Sequence, residues 1–326
     1  MRKCWSGFAA ALIVLLAPHS GSADSWPNGP VRIIAPFAPG GTADVFARIM
    51  ADHFSAVFRK PFFVETRSGA GGMIGSQIAA LAPADGYTLL MAGNASHIVA
   101  PAFSPAPLYD GVKDFTHIAL IGGSPVGLVV NPALQVNTFA EFMAYVKASP
   151  NPLDYTSSGI GTNGFLFGEE FAAKEGLRLT HIPYKGGGPA MADLVAGHVK
   201  IATVTFSSAA AQVRGGKLKV LALSGDQRLP GFPEVPTFKE LGYPEMISLS
   251  WFALAGPKGL PREIVDALNR EVAVVLARPD MRARLDQDAI EASPLSPEET
   301  TQYFERETAR WAPLAAAFRA KGFKSE

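Results

Sequence analysis

The sequence predicts an α/β fold of mainly parallel sheets flanked by helices, arranged as two domains. Three observations carry that expectation. Short runs of apolar and β-branched residues alternate with amphipathic stretches at helical spacing. Glycine-rich turns stand between strand and helix at three places. The length of 326 residues, 48% hydrophobic and 18% charged, suffices for about two domains at roughly 100–200 residues each.

In chain order, Val31 to Phe37 reads as a strand, followed by the turn Ala38-Pro39-Gly40-Gly41. Thr42 then caps a helix whose Val45, Phe46, Ile49, Met50 and Phe54 share one side. A strand over 62–65 leads through Ser68-Gly69-Ala70-Gly71-Gly72 into a helix over 73–81, and 87–92 is another strand. Strands are predicted over 116–121 and 126–130, with a helix over 139–148 that Ser149-Pro150-Asn151-Pro152 stops. The alternation continues with strands over 154–157 and 179–183, and helices over 165–174 and 189–196. Later strands fall at 201–206 and 220–223. The C-terminal part is mostly helical, over 261–277, 280–285 and 297–321, with Ile264, Leu268, Val272 and Leu276 forming one stripe.

The first 23 residues differ from the rest. Arg2 and Lys3 precede an apolar stretch from Phe8 to Ala17, and Gly21-Ser22-Ala23 follows. That is the layout of a secretory signal peptide, with cleavage expected after Ala23 and a periplasmic destination for the mature chain. The apolar stretch is too short to span a bilayer comfortably. Cys4, the single cysteine, lies inside this leader, so disulfides, thiolate catalysis and cysteine metal sites are excluded after cleavage. Lys+Arg and Asp+Glu both number 29. With no long run of like charge, a nucleic-acid partner is not expected.

The three turns share one design. Ala38-Pro39-Gly40-Gly41-Thr42, Ser158-Gly159-Ile160-Gly161-Thr162-Asn163 and Lys185-Gly186-Gly187-Gly188-Pro189 each follow a strand and precede a helix. A helix start presents unpaired N–H groups and the positive end of the peptide dipoles, and glycine lets a ligand reach them. Such a turn is an anion site without formal charge, and equally an ordinary connector. Sharper motifs fail. Gly159-x-Gly161-x-x-Gly164 matches a dinucleotide fingerprint, but its next strand ends at Tyr184-Lys185 in place of an acidic ribose partner. There is no phosphate loop, no nucleophile elbow and no HExxH; the histidines are scattered, and only His97, in the Gly93–His97 loop, is placed to face a ligand. Asp44 sits where the helix dipole favours a carboxylate, and could also meet an amine.

Read together, these stretches resemble the solute receptors of tripartite tricarboxylate transporters, the Bug family. The resemblance runs through Trp26-Pro27, Val31 to Asp44, Gly69 to Gly75, Asp85 to Leu90, His181 to Gly186, Asp193 to Gly197, Gly216-Lys217-Leu218, Val235-Pro236-Thr237 and Trp251-Phe252. It implies a two-lobed periplasmic binding protein fold, type II-like, hinged by crossing strands. The lobes are expected to be 24–126 with 250–326, and 127–249. A dicarboxylate, amino acid or aromatic acid would lie between them, held by backbone amides and water, with no cofactor and no metal.

On that resemblance and the turn pattern, the ligand-binding candidates in the first lobe are Phe37, Ala38, Pro39, Gly40, Gly41, Asp44, Ala95 and Ser96. In the second they are Ser158, Gly161, Thr162, Asn163, Lys185, Gly186, Gly187, Gly188, Pro189 and Ala190. The chain departs from the family pattern at Thr66-Arg67-Ser68-Gly69, at Thr203-Val204, where a Phe-Asp pair is usual, and at Asn163-Gly164-Phe165. A less polar second lobe would suit a more apolar, aromatic acid. The expected partner is a membrane permease, or a sensor kinase if the receptor signals, and the receptor is expected to be a monomer. A third reading, an exported hydrolase or isomerase, finds no nucleophile–base pair among the motifs.

Overall fold

The computed structural model describes residues 26–104, 106–320 and 322. The proposed leader therefore lies outside the described residues. In order, the elements are β1 (Val31–Ala35), α1 (Thr42–Phe58), β2 (Phe62–Thr66), α2 (Met73–Ala80), β3 (Thr88–Gly93), α3 (Ala100–Phe103) and β4 (Phe115–Val130). They continue with α4 (Phe139–Ala148), β5 (Leu153–Ser157), α5 (Asn163–Glu175), β6 (Leu179–Pro183), α6 (Gly187–Ala196), β7 (Ile201–Thr205), α7 (Ala210–Arg214) and β8 (Lys219–Leu223). The chain closes with β9 (Leu249–Pro257), α8 (Arg262–Ala277), α9 (Pro279–Gln287), β10 (Glu291–Ala292) and α10 (Pro297–Ala320). No described helix is long and apolar enough to cross a membrane.

The strands run in the order β2-β1-β3-β9-β4-β7-β5-β6, with β10 and β8 also paired to β4. The outer pairs, β1 with β2 and β3 and β5 with β6 and β7, are parallel. Every antiparallel pair involves β4 or β9. This gives two open α/β layers joined by long strands, the two-lobed architecture that the sequence predicts. In each lobe the loops after the parallel strands gather at the carboxyl edge, where open α/β sheets place their ligands.

One departure locates the hinge. The sequence reads 116–121 and 126–130 as separate strands because Gly122-Gly123-Ser124-Pro125 has turn composition. The structure runs β4 unbroken through them. Its first part, to Pro125, pairs with β9; from Val126 onward it pairs with β7 and β8. The glycines serve close approach here: a Cβ on Gly122 would stand 2.1 Å from the Glu291 carbonyl oxygen of the neighbouring β10. The sequence reading also left β9 unassigned, although all but its first residue are buried.

Both faces of each layer are covered. Ile33, Leu89 and Leu254 pack under Phe46, Phe54, Leu268 and Val272 of α1 and α8. Ile34, Leu90 and Trp251 pack on the opposite side with Met73, Phe103 and Phe304. In the second lobe Leu128, Tyr155 and Leu221 meet Phe142 and Phe171, while Val129, Ala202 and Val204 meet Met191 and Leu194. Burial of this kind holds the helix starts in fixed positions around the interlobe space.

Candidate functional site

Between the lobes lies a cavity of about 40 Å³. Its first-lobe wall is Phe37, Gly41, Thr42 and Ala43 from the β1–α1 turn, and Gly93, Asn94 and Ala95 after β3. Its second-lobe wall is Ser158, Thr162 and Asn163 from the β5–α5 turn, Gly187 from the start of α6, and Thr205 and Ser208 after β7. Ser250 and Phe252 of β9 complete it. Among the described residues, no charged side chain lines this cavity.

Three helix starts therefore meet at one small space. In α1 the first N–H in the helical ladder is that of Val45, donating to Gly41 O at 3.1 Å, which leaves Thr42 and Ala43 outside it. In α5 the Thr162 hydroxyl caps the Phe165 N–H at 3.3 Å, and Leu166 N–H donates to Thr162 O, so Asn163 N–H is free of the ladder. Gly187 opens α6 on the cavity wall. These N–H groups and their helix dipoles create a positive site out of neutral residues.

Hydroxyl groups form the hinge side. The Thr205 hydroxyl donates to Ser250 Oγ at 2.8 Å, and Thr42 Oγ1 lies 2.7 Å from Ser207 Oγ across the lobes. Ser207 N–H donates to Ser124 Oγ of β4 at 3.0 Å. Ser224 Oγ accepts Val126 N–H at 2.7 Å and donates to the Ser248 carbonyl, tying the two crossing segments together.

Of the residues singled out from sequence, Phe37, Gly41, Ala95, Ser158, Thr162, Asn163 and Gly187 stand on the cavity wall. A second group holds the lobes against each other. Ala38 N–H donates to Lys185 O at 3.3 Å, and a Cβ on Gly188 would stand 2.1 Å from Pro39 O. Gly40 faces Gly188, Gly186 faces Ala38, and Gly161 faces Ala100. Lys185 lies in an adjoining groove of about 450 Å³, also bordered by Phe37, Ser158 and the Gly69–Gly72 turn.

The remaining candidates lie off the wall. Asp44 is buried behind its loop, accepting Gly40 N–H at 3.0 Å and pairing with Arg48 at 3.0 Å. The Ser96 hydroxyl turns back to Gly93 O, Pro189 lies within the first turn of α6, and Ala190 is in the core behind it. His97 does not face the cavity: it is buried among the rings of Tyr109, Phe115 and Phe304. Burial holds its pKa well below the ordinary value.

Sequence reasoning missed Thr42, Ala43, Gly93, Asn94, Thr205, Ser208, Ser250 and Phe252. Asn94 carried a signal, since it sits in the strand-end loop already noted. Thr205, Ser208, Ser250 and Phe252 follow or lie in strands without any glycine turn to mark them. The structure also assembles two serine–histidine pairs among the described residues: Ser96 Oγ with His97 Nδ1 at 3.4 Å, and Ser157 Oγ with His181 Nε2 at 2.8 Å. Ser96 and His97 are both buried off the cavity wall. Ser157 is fully buried and its hydroxyl also accepts Gly159 N–H at 3.1 Å, so the pair braces the β5–α5 turn from behind.

Known proteins are similar to this chain in sequence and fold. Residues 46–319 match the family model described as the tripartite tricarboxylate transporter family receptor. The chain is 34% identical over 304 residues to protein BugT of Bordetella pertussis, covering 92% of each. Among solved structures, an R. palustris protein with adipate is similar at 32% identity and TM-score 0.85, over 89% of this chain and 97% of that one. MatC from Rhodopseudomonas palustris with bound malate is similar at 30% identity and TM-score 0.81, over 89% of this chain and 100% of that one. By the extent of these matches, the chain belongs to the tripartite tricarboxylate transporter receptor family.

Proposed function

We propose that the protein is an exported, non-catalytic receptor that captures a small carboxylate between its lobes and delivers it to the membrane permease of a tripartite transporter. The observation that carries this reading is the meeting of three helix starts on one cavity that no charged side chain lines. A carboxylate placed there accepts N–H and hydroxyl donors and meets the positive ends of the helix dipoles. The adipate and malate carried by two related proteins are both carboxylates, which supports the same class here.

The lobes are assigned to 24–126 with 250–326, and to 127–249. β4 changes partners between Pro125 and Val126, and β9 begins at Leu249, which supports those limits. A ligand touching both walls favours the closed arrangement over an open one, and that difference is what a permease would read. The receptor works in the periplasm after removal of residues 1–23.

A thermal-shift screen of the mature protein against small organic acids and their neutral amides tests this. Binding stabilises a fold by roughly a few kcal/mol at ligand far above its dissociation constant, so one class of acid should raise the melting temperature and its amides should not. Turnover of a bound acid, or stabilisation by amides alone, contradicts the proposal. Capture of the liganded receptor by its permease in detergent tests the delivery step, and capture by a sensor kinase instead would assign it to signalling.

A further inference from the structure

We propose that the ligand carries a hydroxyl group beside its carboxylate, and that Asn163 reads it; this rests on the receptor reading above. Asn163 is 2% exposed and stands on the cavity wall as the first residue of α5. Its Nδ2 donates to Leu249 O at 2.9 Å. That bond fixes which way the amide faces, because turning it over would set two oxygens against each other. The remaining Oδ1 is then a buried acceptor with no partner among the described residues.

A carboxylate at neutral pH only accepts hydrogen bonds, so it satisfies the helix N–H groups and leaves Asn163 Oδ1 unpaired. The ligand must bring a donor of its own. An ammonium would supply one, but no carboxylate lines the cavity to balance it, and Asp44 is turned onto Arg48 and Gly40. A hydroxyl donates without adding charge. It also accepts, and the facing first-lobe wall holds a second buried amide in need of an acceptor: Asn94, 2% exposed, whose Nδ2 has no partner among the described residues. One kind of group answers both orphaned atoms.

Titration calorimetry of the mature protein with matched acids that differ in one substituent tests this. Suitable sets are succinate, malate and aspartate; propionate, lactate and alanine; and phenylacetate, mandelate and phenylglycine. Leaving a buried acceptor unpaired weakens binding by about tenfold to a hundredfold. In whichever set binds, the hydroxy acid should therefore exceed the unsubstituted and amino acids by about tenfold or more. Asn163→Ala should bring that ratio to about one. Equal binding of hydroxy and unsubstituted acids by the native protein, or tighter binding of the amino acid, overturns the proposal and leaves the receptor reading standing. A hydroxyl preference that persists in Asn163→Ala overturns the assignment to Asn163. No binding in any set overturns the receptor reading and this proposal with it.

Discussion

Gly188 is the residue at which closure and stability separate. It lies in the first turn of α6, where alanine is favoured over glycine by up to about 1 kcal/mol. A Cβ there would stand 2.1 Å from Pro39 O, on the facing lobe. Gly188→Ala should therefore leave the urea midpoint unchanged or raised while weakening ligand binding about tenfold to a hundredfold, the range set by overpacking at a tight contact. Calorimetry beside a denaturation curve checks both halves, and unchanged affinity would mean the lobes do not close on this contact. At this scale the sequence shows part of the site. Gly41, Ser158, Thr162 and Gly187 are visible because glycine-rich turns change local composition, and Phe37 came with the family resemblance. Thr205, Ser250 and Phe252 are not, because their place on the wall comes from strand ends brought together by chain crossing.

Among the elements, β4 and the segment leading into β9 bear the hinge. Ser224 links them, and its replacement by alanine removes the acceptor of the buried Val126 N–H. An orphaned buried donor costs about 1–3 kcal/mol, so Ser224→Ala should lose roughly that much in urea unfolding; a change within experimental error would show that water replaces the hydroxyl. The α5 start is a second test. Thr162→Ala deletes both the cap on Phe165 N–H and the hydroxyl bond to Gly159 O, at about 1 kcal/mol for a lost cap. Because Asn163 follows directly, ligand affinity should fall along with stability, and undiminished affinity would separate the cap from the site. The longer helices and the parallel strands were legible from periodicity, since each repeats its pattern over several turns or residues; the short α3 and α7 were not. β4 was not: glycine and proline signal a turn in isolation, whereas here they let neighbouring strands approach.

Taken whole, the molecule buries neutral histidines in both lobes. Burial pushes His117 in the first lobe and His181 in the second down to about 4, and holds His97 well below its ordinary value. In the unfolded chain these groups take up protons near 6.5, so below that pH the unfolded state binds more protons than the native one. Stability is therefore full above pH 6.5 and falls as the pH drops toward 4, by on the order of a few kcal/mol. Urea midpoints at pH 7.5, 6, 5 and 4.5 should decline in that order, and a flat profile over that range would show that the histidines are not held neutral. The α/β layers were legible from the order of strands, turns and helices, and the two-lobed plan came with the family resemblance. The closed contact between the lobes was not, because it joins Pro39 to Gly188 and Ala100 to Gly161, pairs that no local pattern links.

The central claim is that a carboxylate is bound by helix starts in a cavity without charged side chains. Calorimetric titration of the mature protein with the best-binding acid and with its methyl ester tests it most directly, since the ester keeps the shape and removes the charge. The acid should bind one to one and the ester at least about a hundredfold more weakly, as expected when a charge-assisted set of hydrogen bonds is lost; an ester that binds as tightly as the acid would contradict the account.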